Sequence, residues 1–135
     1  MRRHLSARRF WSDDSGGTMV EFALVSLMFF MILLGIAEFA MANWAKASVA
    51  DAAREGTRYA IVRGANSGQS VTAAQIQTYV QGRSSLRPIT VTTVWDPNSI
   101  AGSTVSVTVS YNFRRVGLMI PTKTLSSTSK MVMVY

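Results

Sequence analysis

From Phe22 to Ala37 the chain reads FALVSLMFFMILLGIA, sixteen residues of which only Ser26 is polar. Phe39 to Ala42 resume the run beyond Glu38. The whole stretch is then about 20 residues, enough to cross roughly 30 Å of hydrocarbon at about 1.5 Å per residue. Its apolar positions go all the way round a helix, and a chain of 135 residues has little core in which to bury it. The pattern predicts a membrane segment over about 22–42.

Past the run the pattern changes but the helix does not stop. ANWAKASVADAAREGTRYAIV, residues 42–62, has no proline and is rich in alanine, the best helix former. Read with a period of seven, Ala42, Ala45, Val49, Ala52, Gly56 and Tyr59 fall on one stripe, and Lys46, Asp51, Arg54, Glu55 and Arg58 lie off it. Such a seam of small residues admits another backbone at close range. A neighbouring subunit or the chain's own C-terminal part would each satisfy it. Asp51 with Arg54 and Glu55 with Arg58 are i,i+3 pairs of opposite sign, worth about 0.2–0.5 kcal/mol each.

RGANSGQS (63–70) is a loop by composition. VTAAQIQTYVQGR (71–83) predicts a short helix capped by Thr72, with Ile76, Tyr79 and Val80 on its apolar face and Gly82 at its end. The period then falls to two. ITVTTVW (89–95) and TVSVTVSYNF (104–113) are β-branched and alternating, with Val105, Val107, Val109 and Tyr111 on one face. DPNSIAGS supplies the turn between them. TLSSTSKMVMVY (124–135) predicts a third strand, after GLMIP as a connecting segment. The expected fold class is α+β: a long N-terminal helix, membrane-spanning and then periplasmic, a short second helix, and a small antiparallel sheet of about three strands.

Charge and chemistry narrow the function classes. Fourteen Lys and Arg against seven Asp and Glu leave a formal charge of +7. Basic residues nevertheless never exceed two in a row and are not interleaved with aromatics, so no nucleic-acid partner is read from them. Cysteine is absent, and His4 is the one histidine, which leaves no material for a disulfide framework, a thiolate or imidazole metal site, or a nucleophilic triad. Asp13, Asp14 and Glu21 precede or begin the apolar run, Glu38 lies in its far end, and only Asp51, Glu55 and Asp96 follow. No catalytic residue, cofactor or metal is expected. Arg2, Arg3, Arg8 and Arg9 lie before the span and place the N-terminus in the cytoplasm, with Trp44 where an interfacial aromatic belongs. A cleaved secretory signal fits less well, because the run exceeds the usual 7–15 residues and AMANWA (40–45) is a weak cleavage site.

The order of these parts resembles a class III signal, the type cut by prepilin peptidases ahead of the apolar run. By that resemblance Gly16 precedes the cut, Gly17 becomes the first residue, and Glu21 falls at mature position five with Phe22 after it. ADAAREGTRYA (50–60) is similar to the AAREGARYA segment of TadE-like proteins, with Thr57 in place of alanine, and GIAEFA (35–40) resembles the end of their apolar segment, with Glu38 at the acidic position. Gly17 departs from the bulkier apolar residue usual in major type IV pilins. The resemblance covers residues 8 to about 63, and the β region only in general character.

The resemblance implies a minor pseudopilin of a tight-adherence (Tad) pilus or a related secretion filament. It implies a cytoplasmic leader over 1–16, a long helix over 17–63, and a periplasmic α/β domain over 64–135, single-pass in the bacterial inner membrane. The implied partners are a prepilin peptidase, other pilin-like subunits (TadF-like proteins and Flp-type pilin), an inner-membrane assembly platform and membrane lipid. The alternative is an unprocessed, membrane-anchored periplasmic accessory or binding protein. Under the first reading Glu21, one turn from the Gly17 ammonium, meets a neighbouring subunit's terminus and sets the axial register. Otherwise it is an interfacial carboxylate near a helix N-terminus, which favours anions anyway. Glu38, seventeen residues further and roughly 26 Å along the helix, is expected as a solvated carboxylate at the outer interface, with a contact to another subunit as the alternative.

Overall fold

The computed structural model describes residues 14–114 and 123–134, and of Asp14, Ser15 and Asn66 the backbone alone. The first thirteen residues of the expected leader, the GLMIP connection and Tyr135 lie outside the described residues. The chain divides into two compact units, Met1–Ala37 and Glu38–Tyr135.

Helix α1 runs from Asp14 to Ile61, 48 residues, and so contributes to both units. In the first unit its large apolar side chains are bare to solvent, from Leu33 at 45% exposure to Met19 at 76%. A window of mean hydropathy 2.4 with none of its residues buried makes this helix long and apolar enough to cross a membrane.

The second unit holds the rest of α1, a 3₁₀ turn at Ala65–Ser67, helix α2 (Ala73–Arg83) and strands β1 (Ile89–Asp96), β2 (Thr104–Phe113) and β3 (Lys123–Val132). The strands form an antiparallel meander in the order β1-β2-β3. Val91 pairs with Val109, and Val109 with Ser127. Val105, Val107 and Val109 are wholly buried, while Thr92, Thr124 and Thr128 on the other face are exposed. That alternation is what period-two sequence produces once one face is covered.

Thr72 closes a capping box on α2: its hydroxyl accepts from Gln75 N at 3.3 Å, and Gln75 Oε1 accepts from Thr72 N at 2.9 Å. Gly82 does not end the helix. It stays helical, and the chain leaves at Ser84, whose backbone is extended (φ −69°, ψ 134°) and whose Oγ accepts from Leu86 N at 3.2 Å. A serine that bonds its own following backbone stops the helix without needing a left-handed glycine. Between β1 and β2, Gly102 does take positive φ, 87°, and Ser103 Oγ donates to Asn98 Oδ1 at 2.7 Å.

Candidate functional site

The seam of α1 lies against the chain's own sheet and second helix. Ala45 and Val49 are 1% exposed, Gly56 is buried, and Ala42, Ala52 and Tyr59 are partly buried beside the core. Small side chains are needed where the helix axis comes nearest. A Cβ on Gly56 would lie 2.8 Å from Val80 Cγ2 and 3.0 Å from Val107 Cγ1. One turn of α1 is therefore held between α2 and β2. Thr57 follows, fully buried; its hydroxyl donates to Ala53 O at 2.8 Å and lies 3.3 Å from Ser129 O on β3. The nearer carbonyl takes most of the single proton.

Beside the seam, groups distant in sequence make a polar and aromatic cluster. Tyr59 and Tyr79 stack with ring centroids 3.9 Å apart and planes 18° apart. Arg63 lies 4.0 Å from the Tyr59 centroid, necessarily on the face that Tyr79 leaves open. The Tyr79 hydroxyl donates to Glu55 Oε1 at 2.8 Å, and Arg83 Nη1 donates to the same carboxylate at 3.1 Å and to Tyr79 Oη at 2.6 Å. The Tyr79 hydroxyl first, then Glu55, hold the Arg83 guanidinium above its ordinary range. The expected pairing of Glu55 with Arg58 gives way to this one, because α2 brings a hydroxyl and a guanidinium to the carboxylate from 24 and 28 residues away. The Asp51–Arg54 pair forms as spaced, at 3.1 Å.

A shallow groove of about 400 Å³ opens between α1 and α2, with Asp51, Glu55, Arg83 and Ser84 on its walls. Among the described residues no three His, Cys, Asp or Glu side chains converge as a metal site. The acids of the groove are already engaged with arginines.

At the other end of α1, Glu21 and Phe22 are exposed, Phe22 at 74%. A Cβ on Gly16 or Gly17 would meet nothing within 4 Å among the described residues. Glu38 differs from expectation: it is 2% exposed and takes part in a polar or electrostatic interaction, not solvated at an interface. It is the first residue of the second unit, so it belongs with the folded part rather than with the apolar run. Residues 16–58 match the model of the TadE-like protein family. The TadE-like segment takes in both glycines, Glu21, Phe22 and the seam as far as Gly56, and leaves α2 and the sheet outside it. No curated protein matches the chain, and no solved structure does.

The Tyr59–Tyr79 stack, the Glu55–Arg83 pair and the buried Thr57 hydroxyl are absent from the sequence expectations. The one available signal was a tyrosine on the inner face of each of two helices, at Tyr59 and Tyr79. Spacing along one helix says nothing about partners on another.

Proposed function

We propose that this chain is a minor pseudopilin of a Tad-type pilus or related secretion filament. A prepilin peptidase cuts it between Gly16 and Gly17, and α1 anchors it in the inner membrane with the second unit in the periplasm. The observation that carries the reading is a family match that begins at the glycine pair, directly ahead of an exposed apolar helix. Each lies in the first turn of α1, and among the described residues neither has a neighbour that a side chain would strike. Gly35 and Gly82 are equally open, so what supports a cut at Gly16 and Gly17 is their place just ahead of Glu21 and the apolar run. The family match begins at Gly16 itself, and the exposed apolar helix follows at once.

Cleavage gives Gly17 a free ammonium one helical turn before Glu21. Within an assembly, the carboxylate of one subunit answers the ammonium of the next, and an ion pair so placed in an apolar setting fixes register as well as affinity. The remaining apolar face stays in lipid or against other pilin-like helices.

The test is the mass of the membrane-resident protein. An N-terminus at Gly17 is expected, and Gly16→Val should leave a chain that inserts but keeps its 16-residue leader. An intact leader on the unaltered protein would overturn the processed reading in favour of an anchored accessory protein.

A further inference from the structure

Hydrogen bonds at the ends of the strands fix which way the peptide groups of the sheet point. Met133 N donates to Ser103 O at 2.8 Å, in continuation of the Thr104–Val132 register, so the bonds between β2 and β3 fall at odd-numbered residues of both strands. β2 then turns its even-numbered residues toward β1, where they meet Thr90, Thr92, Val94 and Asp96. The odd-numbered residues of β1 direct their N–H and C=O groups away from the sheet. Gln81 of α2 finds the first of them: its Nε2 donates to Ile89 O at 3.1 Å. Among the described residues, nothing takes up the outward groups of Val91, Thr93 and Trp95 in the same way. The row closes at Pro97, which has no N–H to offer.

The other edge of the sheet is attended. Val134 N donates to Ile61 O of α1 at 3.4 Å, the Thr57 hydroxyl lies 3.3 Å from Ser129 O, and Lys123 and Lys130 stand exposed on β3. Lysine on an edge strand discourages further pairing. β1 carries no charge from Ile89 to Trp95 and reads ITVTTVW, β-branched and aromatic residues of the kind that suit a paired strand. Thr93, in the middle of the open row, adds a second mark: its Oγ1 is buried with no hydrogen-bond partner among the described residues. A cavity of about 450 Å³, lined by Gln81, Arg87, Pro88 and Ile89, opens where the row begins.

We propose that the outer edge of β1 takes an extended segment of another protein as a fourth strand, antiparallel to it. Outward N–H and C=O groups recur about every 7 Å along the row, a spacing that extended backbone matches. A residue opposite Thr93 on the added strand stands about 5 Å away on the same face, within reach of the unanswered hydroxyl. Charge complementarity sets the ends. Exposed Arg87 precedes the row and exposed Asp96 follows it, so the segment is uncharged in its middle, with a cation near its start, beside Asp96, and a carboxylate near its end, beside Arg87. A second copy of this chain does not fit. Opposite residues of an antiparallel pair share a face, so joining two β1 edges would set both α2 helices on one side of the sheet. Each α2 lies over its own β1, as the Gln81 bond requires, and the two strands would be about 5 Å apart where packed helices need about 8–10 Å. The edge lies wholly in the second unit, so the inference is independent of cleavage and of membrane insertion.

The experiment follows hydrogen exchange at single amides of the full chain in detergent. In the free chain the N–H groups of Val91, Thr93 and Trp95 should exchange fast, and those of Thr92 and Val94, which face β2, slowly. The probe is a short capped peptide of alternating valine and threonine with lysine first and glutamate last. It should slow the three edge amides on the order of tenfold or more. The same peptide N-methylated on the amides that face β1 should give no protection, and it tests the edge with the protein unaltered. Thr93→Pro removes one outward N–H and spares the ladder to β2, so the peptide should bind on the order of tenfold more weakly, with Thr92 and Val94 still slow. Ser126→Pro, made at an outward residue of β3, should leave peptide binding unchanged. Slow exchange of the three amides before peptide is added would overturn the proposal, whether the chain covers its own edge or a second copy does. So would an absence of protection by the peptide, protection that survives methylation, or equal loss with Ser126→Pro.

Discussion

Gly56 of α1 lies so close beneath Val80 of α2 that a Cβ on it would come within 2.8 Å of Val80 Cγ2. Alanine there gains about 1 kcal/mol of helix propensity but must push a buried valine out of its place, at a cost of about 1–3 kcal/mol. Val107 blocks the other direction at 3.0 Å. Gly56→Ala should therefore be destabilising on balance by about 1 kcal/mol, and by at most about 2 kcal/mol, read by denaturant titration of the full chain in detergent. A variant as stable as the parent would mean that α2 shifts freely, and that the seam is not a tight contact.

The Tyr59–Tyr79 stack ties the last turns of α1 to α2. Aromatic pairs of this kind contribute about 0.5–1.5 kcal/mol beyond their buried area. A double-mutant cycle with Tyr59→Leu and Tyr79→Leu should return a coupling of that order. Tyr79→Phe keeps the ring but loses the bonds to Glu55 and Arg83, and should cost about 0.5–1.5 kcal/mol, nearer the lower figure because the site is half open to water. Additivity of the two leucine variants would show that the rings merely sit near each other.

Thr72 begins α2 with a reciprocal pair of bonds to Gln75. Thr72→Ala leaves the Gln75 N–H at the helix start to water and should cost about 1 kcal/mol, while Thr72→Ser should restore most of it. Hydrogen exchange of the first turn of α2 gives the local readout. Exchange there that is unchanged in the alanine variant would show that packing of Ile76 and Val80, not the cap, sets where the helix begins.

For Glu21 the expected effect is on assembly and not on folding, since the side chain is exposed in the single chain. Glu21→Gln should insert, be cleaved and accumulate normally, yet crosslink poorly to pilin-like subunits and fail to support piliation. An unanswered ammonium at a buried interface costs several kcal/mol, and about 1.4 kcal/mol is already tenfold in association. Glu21→Asp, with the charge on a shorter arm, should fall between. Full piliation by Glu21→Gln would leave the carboxylate as an interfacial group with no part in register.

Local rules account for what the sequence by itself determined. An apolar run with one serine in sixteen residues, the absence of proline through residue 62, and the change from helical to period-two spacing depend on no distant partner. Those features define α1 and the three strands, and they bring Val105, Val107 and Val109 to one face. The glycine-to-glutamate spacing at Gly16 and Glu21 is equally local. Tertiary structure decided which surfaces meet. The seam from Ala42 to Tyr59 was open to two partners until α2 and the sheet closed over it, because a small-residue stripe states only that something comes near. Glu55 left its i+3 neighbour for Tyr79 and Arg83 because an aromatic hydroxyl and a second guanidinium on α2 reach its carboxylate together, two charge-assisted bonds against one exposed pair worth a few tenths of a kcal/mol. Glu38 moved from the expected water-facing position to a buried one for a related reason: burial follows from what packs against a residue in space, and its neighbours in the chain do not specify that.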